Sequence, residues 1–232
     1  MRFLRCAAAD WSLLRARLCR SALGMWLGVL VGGCWTASRL AGSWDAVTLA
    51  LRVGMLGAIA CAAGLAGSLE DRAGLVLSLS HPTTPRALVV GRWFAAWTGA
   101  VLAVLVVAAL DLWLGGAPGP SVPALAAGVA GSSAAAACAL ALVWVGGTPL
   151  ALVFFLFLAL FGGSPPENLV NLASPGPIRV AVAAGLELLP SMWRYRMIAA
   201  ADLGASVHAC AWTGIGLITA TGLLRRAGAR DP

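Results

Sequence analysis

Apolar residues run along this chain in long continuous blocks, broken by short polar or Pro/Gly-rich joints. Strict alternation of apolar and polar positions is not seen. Continuous blocks predict helices rather than the strands of a barrel. Six blocks are long enough or apolar enough to be read as helices that cross a membrane: about 21–37, 46–69, 87–114, 124–145, 150–161 and 205–224. The first and fifth are short against the roughly 20 residues that a span requires. The fourth is crowded with Ala, Gly and Ser, which predicts a helix packed inside the bundle rather than one facing lipid. Gly146-Gly147-Thr148-Pro149 predicts a sharp turn between the fourth and fifth.

Residues 2–20 follow a different rule. Phe3, Ala7, Trp11, Leu14 and Leu18 recur at spacings of four and three, one stripe of a helix. Arg2, Arg5, Arg17 and Arg20 fall on the opposite arc, with Arg15 at its edge. This predicts an amphipathic helix lying in the membrane interface, its Arg residues toward anionic headgroups. The bland alternative is a basic tail that only sets orientation. In 162–204, turn-rich sequence surrounds a short apolar stretch, 178–189, and Pro190 follows. The stretch is too short to span, so a re-entrant or interfacial hairpin is expected there, with Glu187, Pro190 and Trp193 as candidate gate residues.

Composition agrees. The 232 residues are 60% hydrophobic and 11% charged, and mean hydropathy is +0.89. Soluble domains carry about 25% charged residues, so this surface must be covered largely by lipid. No polar stretch is long enough for a separate soluble domain, and 1–232 reads as one all-α integral membrane domain.

Net charge is +7, and every basic residue is Arg. A chain without Lys cannot build a P-loop, whose Lys reaches the phosphates. The Arg residues gather at the ends of apolar blocks, which points to membrane orientation rather than nucleic-acid binding. Most lie at the N-terminus, in 70–92 and at the C-terminus. The positive-inside rule then places both termini in the cytoplasm of a multi-pass inner- or plasma-membrane protein. Arg179, Arg194 and Arg196 oppose that assignment.

Candidate chemistry is sparse. The six Cys show no paired spacing, so disulfides and metal sites are not expected. HExxH and GxSxG are absent, and Ser132-Ser133 has no His or Asp in its span. His81 and His208 are each read as packed or hydrogen-bonded rather than as ligands. No catalytic, metal-binding or cofactor-binding residue is assigned. Gly24, Gly28 and Gly32 stand four apart and would let another helix approach, unless they reflect only the general Gly richness. Trp35, Trp44, Trp93 and Trp97 are expected in interfacial belts. Asp45 is a candidate partner for Arg52.

The most charged interior segment is Glu70–Arg92, EDRAGLVLSLSHPTTPRALVVGR. Glu70, Asp71 and Arg72 end the second span, and Pro82 and Pro85 forbid a continuous helix. Thr84 is placed to cap the third helix with Pro85 at its first position.

In layout the chain resembles the permease subunit of a type-2 ABC exporter. The resemblance rests on the N-terminal stripe, the 70–92 segment and the Pro190 region before the last span. Its motif, acidic residues, Gly, apolar residues, then Pro, Arg and Gly, is met by Glu70, Asp71, Gly74, Pro82, Pro85, Arg86 and Gly91. The resemblance implies six spans, an interfacial helix carrying Phe3, Arg5, Trp11, Arg15 and Arg17, and an outer hairpin. It implies that 70–86 docks on a separate ABC ATPase, so that ATP binds the partner and not this chain. It also implies a second permease copy or a paralogue. The haem-exporter-like permease of cytochrome c maturation shares the layout, but the outer loop lacks an aromatic-rich stretch for haem. A non-transporting anchor or sensor subunit is the third reading.

Overall fold

The structure is a computed structural model, and it describes residues 8–16, 22–41, 45–66, 84–114, 121–165, 168 and 176–228. Every element among the described residues is helical: α1 (8–16), α2 (Ala22–Ala41), α3 (Ala46–Ala66), α4 (Pro85–Leu114), α5 (Val122–Leu160), α6 (Pro177–Leu188), α7 (Met192–Tyr195) with a 3-10 turn Arg196–Ala200, and α8 (Leu203–Gly228). Four of them, over Ala46–Leu65, Pro85–Leu114, Val122–Leu160 and Leu203–Arg226, are long and apolar enough to cross a membrane. α2 has the length, but its glycines, tryptophans and Arg39 dilute its apolarity.

The long helices start where a side chain satisfies their first backbone donors. Asp45 Oδ1 accepts from the Thr48 amide at 2.8 Å. Thr84 Oγ1 accepts from Ala87 at 3.3 Å with Pro85 opening α4, the cap read from the sequence. Ser121 caps α5, and Asp202 caps α8 through the Gly204 amide at 2.7 Å.

α5 is two limbs, 122–145 and 148–160. Gly146 (φ −134°, ψ 17°) and Gly147 (φ 72°, ψ −172°) leave the helical region, and Pro149 follows without an amide donor. A straight helix of 39 residues would be about 58 Å long. Here both ends of α5 meet the same end of α3. Leu125 packs with Leu49 and Val53, and Gly163, just past the second limb, abuts Arg52. The chain therefore doubles back at Gly146–Gly147, as the Gly-Gly-Thr-Pro turn predicted.

The first limb is the centre of the bundle. Ala134 to Ala141 are all buried, as the small-residue composition predicted. α3 crosses it so closely that a Cβ on Gly54 would lie 2.9 Å from the Gly128 carbonyl oxygen. α8 crosses it at Gly216, where a Cβ would lie 2.6 Å from the Ala137 carbonyl carbon. Small residues thus bring the helices within backbone contact, the packing that operates where lipid removes the hydrophobic incentive.

Trp93 and Trp97 are not free belt residues. Their rings stack at 5.6 Å, and their indole N–H groups donate to the Ser133 and Val129 carbonyls of α5 at 3.1 and 3.0 Å. An indole between two apolar helices needs a partner for its N–H, and the first limb supplies it. Among the described residues no helix closes on the α2 glycine face: a Cβ on Gly28 or Gly32 meets none of their atoms within 4 Å.

Candidate functional site

The candidate gate residues lie at one end of the bundle, between α6 and α8, and their surroundings form a tied elbow. Pro190 and Ser191 are buried, and the chain turns inward so that Met192 and Tyr195 enter the core. Tyr195 is fully buried and its ring reaches Gly131 of the first limb. Burial pushes its hydroxyl well above the ordinary range, so it stays protonated. It stands 3.3 Å from His208 Nδ1 on α8. His208 Nε2 lies 3.1 Å from the Leu188 carbonyl, which also accepts from Trp212 Nε1 at 2.6 Å. Tyr195 and the Leu188 carbonyl thus face the two ring nitrogens of His208, and the Trp212 indole also stands 3.2 Å from Nε2. The C-terminal end of α6 is thus fastened to α8 by two side chains.

The three predicted gate residues divide. Pro190 is buried at the turn, and the Trp193 amide donates to the Gly162 carbonyl at 2.8 Å, closing the end of the second α5 limb. Glu187 is exposed; its backbone carbonyl, not its carboxylate, accepts from Arg194 Nη1 at 2.7 Å. The residues that hold the elbow, Tyr195, His208 and Trp212, were not predicted together. His208 and Trp212 share a face at i, i+4, but nothing local ties them to a tyrosine 13 positions earlier.

Asp45 does not pair with Arg52. Its Oδ2 accepts from Arg196 Nη2 at 2.7 Å. Partial burial alone would raise the Asp45 carboxyl, but the Thr48 contacts and the Arg196 guanidinium outweigh that and hold it below the ordinary range. Arg39 likewise pairs with Asp111 at 2.6 Å, and the Trp35 indole donates to the same oxygen at 3.0 Å.

At the opposite end, where α5 doubles back, α1 is docked on the bundle. Leu14 is fully buried in a slot against Gly99 of α4 and Cys61 of α3, and Trp11 packs on the same core. The α1 stripe therefore faces protein, while Arg15 is exposed. Phe3, Arg5 and Arg17 lie outside the described residues. One turn before Leu14, Asp10 is 8% exposed and stands 3.9 Å from Arg92, itself 7% exposed. The Arg92 guanidinium sits 5.8 Å over the Trp144 ring, two residues before the α5 break. Burial raises the Asp10 carboxyl from 3.8 to about 6, with Arg92 opposing the shift. Asp10 was missed in the sequence, although a lone acid four residues before Leu14 on the apolar arc was a usable signal.

Of the predicted docking residues, Glu70, Asp71, Arg72, Gly74 and Pro82 lie outside the described residues. Pro85 opens α4 and Arg86 beside it is exposed, at the same end as Asp10 and the α5 break. Ser133, one of the two serines weighed for catalysis, lies 3.0 Å from the Thr213 hydroxyl, and Thr213 donates to Ala209. The serine hydroxyl is therefore a tie between α5 and α8. Among the described residues no three metal-ligating side chains gather.

The sequence matches no protein-family model and no curated protein.

Proposed function

We propose that this chain is the membrane-spanning permease subunit of an ATP-driven exporter of the type-2 ABC class. It would form part of the translocation pathway in the inner or plasma membrane, paired with a second copy or a paralogue. A separate ATPase would dock on residues 70–86. The observation that carries the reading is the doubling back of α5. Counted separately, the two limbs together with α2, α3, α4 and α8 would make six crossings, preceded by a docked helix. With an even number of crossings, both termini fall on one side, the side favoured by the Arg distribution.

In this reading the exposed start of α4 is the input. α4 is a single 30-residue helix running from Pro85 to Leu114, so a push near Arg86 moves its far end, where Asp111 holds Arg39. Leu14 wedges between α3 and α4 and makes them move as one body. ATP-driven closure of two ATPases would tilt these rigid units between two discrete arrangements. The elbow would seal the exit until the tilt releases it. The chain contains no Lys for a P-loop, so in this reading ATP would bind the partner.

The test is co-purification. An ABC ATPase encoded with this chain should copurify with it, and reversing Glu70 and Asp71 to Arg should abolish the complex without lowering the yield of folded permease. A complex that survives the reversal contradicts the docking assignment.

A further inference from the structure

α1 meets the rest of the molecule along one narrow face. Leu14 on that face is wholly buried and Trp11 packs beside it, while Ser12, Leu13 and Arg15 are exposed. The slot that takes Leu14 exists because Gly99 has no side chain: a Cβ there would lie 3.0 Å from Leu14 Cδ2 and 3.0 Å from Cys61 Sγ. Asp10, one turn before Leu14, is carried into the same contact. A carboxyl thus enters the bundle together with a leucine wedge.

Its seat is a poor one for an anion. Asp10 is buried, and its Oδ2 has no hydrogen-bond partner among the described residues. Its Oδ1 stands 3.9 Å from Arg92 Nε, beyond hydrogen-bonding reach. The Arg92 guanidinium also lies over the Trp144 ring. Among the described residues Arg92, from α4, is the charge that acts on Asp10. α3 brings the Cys61 thiol to the slot, α5 brings the Trp144 indole beneath Arg92, and Arg15 and Arg86 are exposed. A carboxylate taken out of water without a donor for each oxygen is strongly disfavoured, and it is relieved by taking up a proton. Burial accordingly raises the Asp10 carboxyl against the pull of Arg92.

We propose that α1 is a proton-operated latch: Asp10 takes a proton from water as Leu14 enters its slot between α3 and α4, and returns it when the helix lifts away. Lifted, Asp10 faces water and is an ordinary carboxylate at neutral pH. Seated, it is the neutral acid below about pH 6. Seating and protonation therefore favour each other. Acid fastens α1 across α3 and α4, and a rise in pH loosens it. The inference does not depend on the export reading, since it concerns only α1 and its slot.

The test uses the full chain in lipid nanodiscs, free of cysteine apart from two spin-labelled positions, Ser12→Cys on α1 and Arg226→Cys on α8, both exposed. Double electron–electron resonance should show one distance at pH 5 and a second that gains population by pH 7.5, the ratio of lifted to seated helix rising about tenfold. Asp10→Asn, which stays neutral, should keep the pH 5 distance throughout. Leu14→Ala, which loses the wedge, should show the second distance at both pH values. A distribution that does not change between pH 5 and pH 7.5 overturns the inference, and this comparison needs neither variant to fold. A change that survives in Asp10→Asn overturns it as well. So does a Leu14→Ala helix that stays seated at both pH values, since the slot would then not be what holds α1.

Discussion

The two ends of the bundle treat charge in opposite ways. At the elbow end, Arg39 is paired with Asp111, Arg196 with Asp45, and Arg194 lies on the Glu187 carbonyl. At the end where α5 doubles back, Arg15, Arg86, Arg225 and Arg226 are exposed and form no ion pair with the described residues. The charge pair at that end is instead internal: Asp10 and Arg92, between α1 and α4. One kind of Arg fastens helix ends to each other. The other is exposed and has no ion pair among the described residues. A tally of Arg by loop mixes the two, Arg194 and Arg196 among them. Their pairing accounts for how they are held, although orientation itself follows the cations rather than the net charge.

If the elbow is a fastened cap, its anchor should matter most. Tyr195→Ala, which empties a fully buried ring site beside Gly131, should cost about 3–5 kcal/mol, read as a lowered thermal midpoint in detergent. Tyr195→Phe, which keeps the ring and loses the contact to His208, should cost about 1 kcal/mol. Equal midpoints for the Ala variant and the wild type would mean that the elbow is not anchored there.

The opposite end depends on its backbone break. Gly147 adopts φ 72°, a region closed to β-branched residues. Gly147→Val should cost about 1–3 kcal/mol and lower the yield of folded protein, whereas Gly28→Ala, in open space on α2, should be neutral or stabilising by up to about 1 kcal/mol. Equal behaviour of the two variants would show that the doubling back does not need Gly147.

A smaller effect separates pairing from capping. Asp45→Asn can still accept from Thr48 but loses its charge on Arg196, so the cost should stay within about 1 kcal/mol. Combined with Arg196→Gln, the double variant should fall short of the sum of the singles. Strict additivity would show that the pair contributes nothing.

A further effect is a pH dependence. The folded-state value of Asp10, about 6, lies above its ordinary 3.8. Between those values the folded protein binds more proton than the unfolded chain, so this group makes stability fall as pH rises through that window. Asp10→Asn should remove that component, leaving the difference between the variant and the wild type dependent on pH only there. A constant difference, or one of opposite slope, contradicts the docking of Asp10 into low-dielectric surroundings.

What could be read locally was read correctly. Thr84-Pro85 formed its cap, Gly146-Gly147-Thr148-Pro149 broke α5, and the run of alanines around Ala136 went to the centre. Each is decided within a few residues, by a missing donor, a permitted φ or a small side chain. What failed needed distance. Arg196 finds Asp45 across 151 positions, where Arg52 was the expected partner. Spacing along one helix shows which face a residue occupies but not which helix will come to meet it. The same limit applies to the α2 glycines, whose stripe is real and which meet no neighbour among the described residues at Gly28 and Gly32. Among the predicted site residues, Pro190 and Trp193 were read as gate residues of a hairpin, whereas the clamp of Tyr195, His208 and Trp212 around them was assembled only by folding.

The contrast between the two ends is tested most directly by their sidedness. In a cysteine-free background, single cysteines at Arg86 and at Met197, both exposed, would be treated with a membrane-impermeant maleimide in intact cells. Met197→Cys should label without permeabilisation and Arg86→Cys only after it. Labelling of Arg86→Cys from outside, with Met197→Cys protected, would place the exposed arginines on the wrong face and contradict the account.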